Sequence, residues 1–218
     1  MAEPDDQPAA VPAADDGAVD VAAAEVGAPL DDDRRWMDEA LTMAEKALAI
    51  GELPIGAVVV ADGRVIGRAF TQEATQGRLL VHAELLALDQ ADRLVALRKG
   101  PAVLYTTLEP CLMCLGAASV AVIDRVVFAL DSEADGAGDL SRLWDLHRAG
   151  GDLPHVRLPP VTGGVGAEES RALFARFIAG RPSPTDPLAR WAATLVLPGG
   201  PPAEPEPDPD PDPEPADE

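Results

Sequence analysis

The sequence predicts an α/β domain, a central five-stranded mixed sheet flanked by helices, set between two long acidic tails. From residue 64 onward, short apolar runs rich in β-branched residues alternate with longer helical patterns, which implies parallel strands joined by crossover helices. Just upstream, two apolar runs flank Asp62-Gly63, a strong signal for a two-residue hairpin and hence for one antiparallel pair. Both ends of the chain abandon such patterning for Ala, Pro, Asp and Glu.

The elements follow in order. Residues 1–30 hold almost no large apolar side chains and bury too little surface to offset the entropy of ordering, so 1–32 reads as a disordered tail. Asp31-Asp32-Asp33 offers an N-cap and a negative first turn for a helix over 34–50, whose apolar stripe is Met37, Leu41, Ala44 and Leu48 and whose stop is Gly51. Ile55 to Ala61 and Arg64 to Phe70 are the hairpin strands, and Thr71 to Leu80 is a loop. His82 to Leu97 is apolar on most sides, as befits a helix packed on a sheet, and Gly100-Pro101 ends it. Ala102 to Thr106 reads as a buried strand, Cys111 to Val122 as a helix, Arg125 to Leu130 as another strand, and His155 to Leu158 as an edge strand. Glu168 to Ile178 closes the domain with Leu173, Phe174 and Phe177 facing inward. Thr162-Gly163-Gly164-Val165-Gly166 lacks a lysine and a preceding parallel strand, so it reads as a turn and not as a phosphate loop. The domain expected from this pass is 33–180, and 181–218, Pro-rich and then Pro/Asp/Glu-rich, reads as a second disordered tail.

The formal net charge is −21, but the charge is unevenly placed: all 17 Lys and Arg lie within 34–190, against 20 of the 38 Asp and Glu. The tails carry the acidity, and the domain between them is nearly neutral. The start of the chain lacks the positive, then apolar, pattern of a secretory signal, and no apolar run is long enough to span a bilayer. The two cysteines, Cys111 and Cys114, sit three apart at metal-ligand spacing, which fits a reducing, cytoplasmic setting.

Those cysteines carry the chemistry. At the start of a helix, i,i+3 spacing puts both sulfurs on one face, and the unpaired N–H groups and dipole there favour thiolate. Two convergent thiolates suit zinc, His82 can supply a third ligand, and three protein ligands leave one position open, the pattern of a catalytic site. A thioredoxin-type redox pair has no use for His82-Ala83-Glu84, and a closed structural zinc site lacks a fourth ligand, since His147 and His155 are the only other histidines.

His82-Ala83-Glu84 followed by Thr107-Leu108-Glu109-Pro110-Cys111-Leu112-Met113-Cys114 resembles the cytidine deaminase-like superfamily, within it most closely the branch of bacterial tRNA adenosine deaminases and guanine deaminases, over roughly Trp36 to Phe177. The resemblance implies a three-layer α/β/α fold, one Zn2+ per subunit on His82, Cys111 and Cys114, and hydrolysis of a ring amine to a carbonyl with release of ammonia. Zinc would acidify a water molecule, and Glu84, which is not a ligand, would move its proton to the ring nitrogen and then to the departing amine. It also implies a homodimer, and places Ile55 and Ala83 near the base and Phe70 and Thr71 near its sugar side.

The chain departs from the branch where the substrate would be read. Thr71 stands where an Asn is usual, Arg78-Leu79-Leu80-Val81 replaces Asp-Pro-Thr-Ala, and Asp131 to Gly136 replaces a segment that carries basic residues in the tRNA-acting members. RNA binding draws on phosphate neutralisation, so a nearly neutral domain between acidic tails disfavours it. The expected function is therefore deamination of a small nucleobase or nucleoside, with tRNA anticodon adenosine deamination as the alternative and a catalytically inactive dimer partner or RNA-binding scaffold as a more remote one.

Overall fold

The computed structural model describes residues 30–149, 157–181, 183 and 185–197. Of the tails expected over 1–32 and 181–218, residues 1–29 and 198–218 lie outside the described residues, as do His155 and Val156. Helix α1 (Leu30–Ala49) leads into the hairpin strands β1 (Gly56–Ala61) and β2 (Arg64–Phe70). Asp62 and Gly63 between them both have positive φ, 51° and 69°, as a turn matched to strand twist requires. A single turn, α2 (Glu73–Gln76), precedes α3 (Ala83–Val95), β3 (Ala102–Leu108), α4 (Leu112–Val120) and β4 (Arg125–Leu130). The chain continues through α5 (Gly138–Ala149), β5 (Val161–Thr162), α6 (Ala167–Ala179) and α7 (Pro187–Val196).

The sheet order is β2-β1-β3-β4-β5. β1 pairs antiparallel with both β2 and β3, while β3–β4 and β4–β5 are parallel. From residue 64 on, every strand thus runs the same way, as the strand–helix alternation predicts. The successive side chains of β1 pack on opposite faces. Ala57, Val59 and Ala61 join Ala83, Ala87 and Ala91 of α3 and Leu115 and Ala118 of α4. Val58 and Val60 join Met37, Ala40 and Ala44 of α1 and Leu173 of α6. Both faces are covered, so the strand is apolar throughout.

Two glycines permit this close layering. A Cβ on Gly56 would fall 2.2 Å from the carbonyl oxygen of Ala40, and one on Gly67 would fall 2.1 Å from that of Ala87. α1 and α3 therefore rest on the strand backbone itself. A buried ion pair ties α1 to the sheet: Arg125 Nη2 and Nη1 donate to Asp33 Oδ1 (2.7 Å) and Oδ2 (2.9 Å), and Tyr105 OH donates to Oδ1 (2.8 Å).

Several expectations need correction. The C-terminal tail does not begin at 181: Pro187–Val196 is a helix. Asp186 caps it by accepting from the backbone N–H of Leu188 (2.9 Å) and Ala189 (3.2 Å), Pro187 occupies its first turn, and Ala192 and Leu195 pack with Phe174 and Phe177 of α6. The domain accordingly extends past residue 180. At the other end α1 starts at Leu30, so residues 30–32 belong to the helix, and Asp33 is buried within it instead of capping it. Part of the 71–80 loop is the turn α2, and α5 is a further helix. Arg157 and Leu158 are not in a strand; the fifth strand is Val161–Thr162, which pairs with Val126 and Val127.

Candidate active site

The site forms where two helices begin beside the carboxyl end of β3. His82 is the N-cap of α3 and Cys111 the N-cap of α4, each with extended backbone (φ −64°, ψ 150° and φ −69°, ψ 170°) and neither making a side-chain capping hydrogen bond. Residues that ordinarily cap helices turn their oxygens back on the first N–H groups; these two side chains point elsewhere. Cys114, one turn into α4, is fully buried.

His82 Nδ1 lies 3.5 Å from Cys114 Sγ and 3.8 Å from Cys111 Sγ, and the three ligand atoms all lie within 4.8 Å of one another. Bonds of about 2.3 Å to sulfur and about 2.0–2.1 Å to nitrogen at a tetrahedral angle put ligand nitrogen and sulfur about 3.6 Å apart, so the donor set has the spacing and softness of a zinc site. The hydrogen bond from Cys114, with that from His82, lowers the Cys111 pKa to about 4 despite burial. The hydrogen bond with Cys111 raises that of His82 to about 9. Cys114, bonded to the Cys111 sulfur and buried, is pushed upward and keeps its proton.

Glu84 follows His82 by two residues, in the first turn of α3, and is 4 % exposed. Thr106 Oγ1 of β3 donates to its Oε1 at 3.2 Å. Burial raises its pKa, the direction that suits a carboxyl that must both take and give a proton.

A cavity of ≈ 320 Å³ opens over these groups, lined by Ile55, Thr71, Ala83, His82, Glu84 and Cys111 among others. Ile55, expected with Ala83 near the base, and Thr71, expected near the sugar side, all line this cavity. Phe70 is not among the lining residues: it packs with α1 on the opposite face of the sheet, because β2 alternates and Phe70 and Thr71 point opposite ways. His147 is exposed and takes no part in the ligand cluster.

Sequence reasoning missed the far wall. Glu73 comes from α2, Glu109 from the end of β3, Asp135 from the loop after β4, and Leu188 and Trp191 from α7. Glu109 anchors that loop, accepting from the backbone N–H of Ser132 (2.9 Å) and Gly138 (2.8 Å). The loop also docks on the cysteine segment through the backbone N–H of Ala137, which donates to the carbonyl of Pro110 (2.9 Å). The Asp186-Pro187 start of α7 was a readable signal for the Leu188 and Trp191 wall. Glu73 had none, since a four-residue turn leaves no periodicity.

A buried carboxyl next to three side chains that could hold zinc is the equipment expected of a zinc-dependent hydrolytic deaminase. Residues 30–130 match the cytidine and deoxycytidylate deaminase zinc-binding region. The chain is 42% identical over 118 residues to the tRNA-specific adenosine deaminase of Bacillus subtilis (strain 168), covering 53% of this chain and 73% of that protein. Among solved structures it resembles one from a study of tRNA:A34 deaminases (33% identity, TM-score 0.54, covering 64% of this chain and 98% of that one). The fold is also that of the guanine deaminase from Nitrosomonas europaea (22% identity, TM-score 0.56, covering 70% and 85%). The chain belongs to this zinc-binding deaminase family.

Proposed function

We propose that the protein hydrolytically deaminates a small nucleobase or nucleoside, using His82, Cys111 and Cys114 to hold zinc and Glu84 to carry protons. The observation that carries this reading is the wall made by Leu188, Trp191 and Asp135 over the ligand cluster. At ≈ 320 Å³ the cavity lies at the small end of the range for small-molecule sites. Its charged side chains besides the candidate ligand His82 are Glu73, Glu84, Glu109 and Asp135, with no Lys or Arg among the lining residues. Such a wall repels phosphate and welcomes the N–H groups of a ring amine.

Bound zinc would supply an acidified water as nucleophile. Glu84 would carry two protons in turn, one from the attacking water to the ring nitrogen beside the carbon under attack and one from the hydroxyl left on that carbon to the departing amine, while Thr106 keeps its carboxyl aimed into the cavity. Ile55, Ala83 and Leu108 supply apolar surface against the ring. Deamination of adenosine in a tRNA anticodon is the second reading, favoured by the 42% identity to the Bacillus subtilis enzyme. An inactive scaffold is disfavoured because Glu84 is in place and buried.

The decisive experiment is ammonia release by zinc-loaded protein, with Glu84→Ala as control, on free bases, nucleosides and an adenosine-containing anticodon stem-loop. Turnover of a base or nucleoside supports the reading, and turnover of the stem-loop alone overturns it in favour of the second. We propose further that the chain acts as a homodimer in the cytoplasm. Leu79, Leu80 and Leu112, next to His82 and Cys111 in the chain, are 81%, 63% and 61% exposed and give a partner apolar surface to cover. No disulfide joins the two cysteines, as expected in a reducing compartment. A monomeric mass by light scattering at micromolar concentration would contradict the dimer. No helix among the described residues is long and apolar enough to cross a membrane.

A further inference from the structure

Glu73 belongs to neither sequence motif, yet it stands beside the ring of His82 on the side away from the sulfurs. His82 Nδ1 faces Cys111 and Cys114, so it is the nitrogen available to an ion, and Nε2 lies 3.6 Å from Glu73 Oε1. A neutral imidazole that ligates through one nitrogen carries its proton on the other, and an acceptor there selects the tautomer, fixes the ring plane and strengthens the ligand.

The Glu73 carboxylate is itself held. Thr71 Oγ1 lies 3.4 Å from its Oε2. The turn that carries it, α2, has no buried residue and is too short to hold its own shape. Glu52, 2 % exposed, clamps it from beneath: Oε1 accepts from the backbone N–H of Thr75 (2.5 Å) and Oε2 from that of Ala74 (3.2 Å). A buried carboxylate bonded to two main-chain donors fixes a backbone segment firmly. Its effect here is to set Glu73 against the histidine.

We propose that Glu73 is a positioning residue for His82: its carboxylate accepts the Nε2–H and, seated by Glu52 and Thr71, holds the ring so that Nδ1 meets the zinc. The proposal rests on the zinc reading of the site and not on which amine is the substrate. No other described residue is recorded within ion-pair distance of Nε2.

The test uses the full chain without substrate. Zinc affinity is measured by chelator competition for the wild type, Glu73→Leu, Glu73→Gln and Glu52→Ala, and the His82 tautomer is read from 15N imidazole NMR of the zinc-loaded wild type. Glu73→Leu should weaken zinc binding about 10–100-fold. Glu73→Gln, which keeps an acceptor oxygen, should recover most of that loss, and Glu52→Ala should fall between. The NMR spectrum should show Nδ1 bound to metal and Nε2 protonated. Affinity of Glu73→Leu within twofold of wild type overturns the proposal, as does ligation through Nε2. If Glu73→Leu fails to fold, the tautomer and the Gln variant still decide. A wild type that takes up no zinc refutes the zinc reading itself, and that outcome is distinct from a wild type that binds zinc with variants that bind it equally well.

Discussion

Trp191 donates its indole Nε1–H to Asp135 Oδ2 at 2.6 Å, joining α7 to the loop after β4 across the mouth of the cavity. The indole also meets the Phe174 ring edge-on, with centroids 6.2 Å apart, so it is held from both sides. Trp191→Ala removes this closure and frees the Asp135 carboxylate. At about 1 kcal/mol for a largely exposed hydrogen bond to a carboxylate, KM for a small base should rise about fivefold with a smaller change in kcat. Steady-state kinetics check this; an unchanged KM would show that α7 does not bear on substrate.

Glu84→Gln keeps the volume of the side chain and an oxygen for Thr106 but cannot take a proton. The expected result is a fall in kcat of about 10²–10⁴-fold with zinc content unchanged, measured by ammonia release alongside metal analysis. Loss of zinc from this variant would mean that Glu84 serves the metal and not the proton.

His82→Ala and Cys111→Ala should each give protein with little zinc and no turnover, and prolonged chelation of the wild type should do the same. Zinc restored to chelated wild type should return activity, and zinc given to either variant should not. Because binding must displace protons held by His82 and Cys114, uptake should release acid, which a weakly buffered indicator assay reads.

Asp33 provides a pH test of stability remote from the site. Burial raises its pKa, but its bonds to Arg125 and Tyr105 and the charge of Arg125 outweigh that and hold it below the ordinary 3.8. A carboxyl lowered in the folded state stabilises fully above about 3.8, and its contribution is lost as pH falls through the folded value. Asp33→Asn leaves the partly buried Arg125 without its charge partner, and should cost roughly 2 kcal/mol at pH 7, less than a fully buried pair. The gap between variant and wild type should shrink in urea unfolding at pH 3. A gap that does not change with pH would mean that the ion pair is not what ties α1 to the sheet.

Gly67→Ala should destabilise by about 1–3 kcal/mol, because the new methyl meets the main chain of α3 and neither can move freely. Thermal unfolding checks it. No change in midpoint would indicate slack in this layer.

What could be read in advance depended on how local its cause was. The hairpin at Asp62-Gly63, the buried run of β1 and the ligand trio follow from side chains within a few positions of one another, and all are found. The inward face of α6, Leu173, Phe174 and Phe177, followed from helical spacing alone. α7 was hidden by the Pro residues around it, although Leu188, Trp191, Ala192 and Leu195 keep a helical period and Asp186-Pro187 marks its start. Motif position sets Phe70 on the cavity side, whereas the alternation of β2 turns it to the face packed by α1. Glu73 and Asp135 reach the cavity through Glu52 and Glu109, whose backbone partners lie more than 20 residues away in sequence, and no local pattern announces such contacts.

The order of the chain gives α7 a consequence during synthesis. His82, Glu84, Cys111 and Cys114 leave the ribosome long before Leu188 and Trp191, and β1 to β4 with α3 and α4 already form the frame that holds them. A nascent chain therefore completes its metal-binding residues while the substrate wall is still unmade, and that wall comes with the last helix described. Translation halted shortly before Asp186 would yield a protein equipped for the ion but open where the substrate should be enclosed.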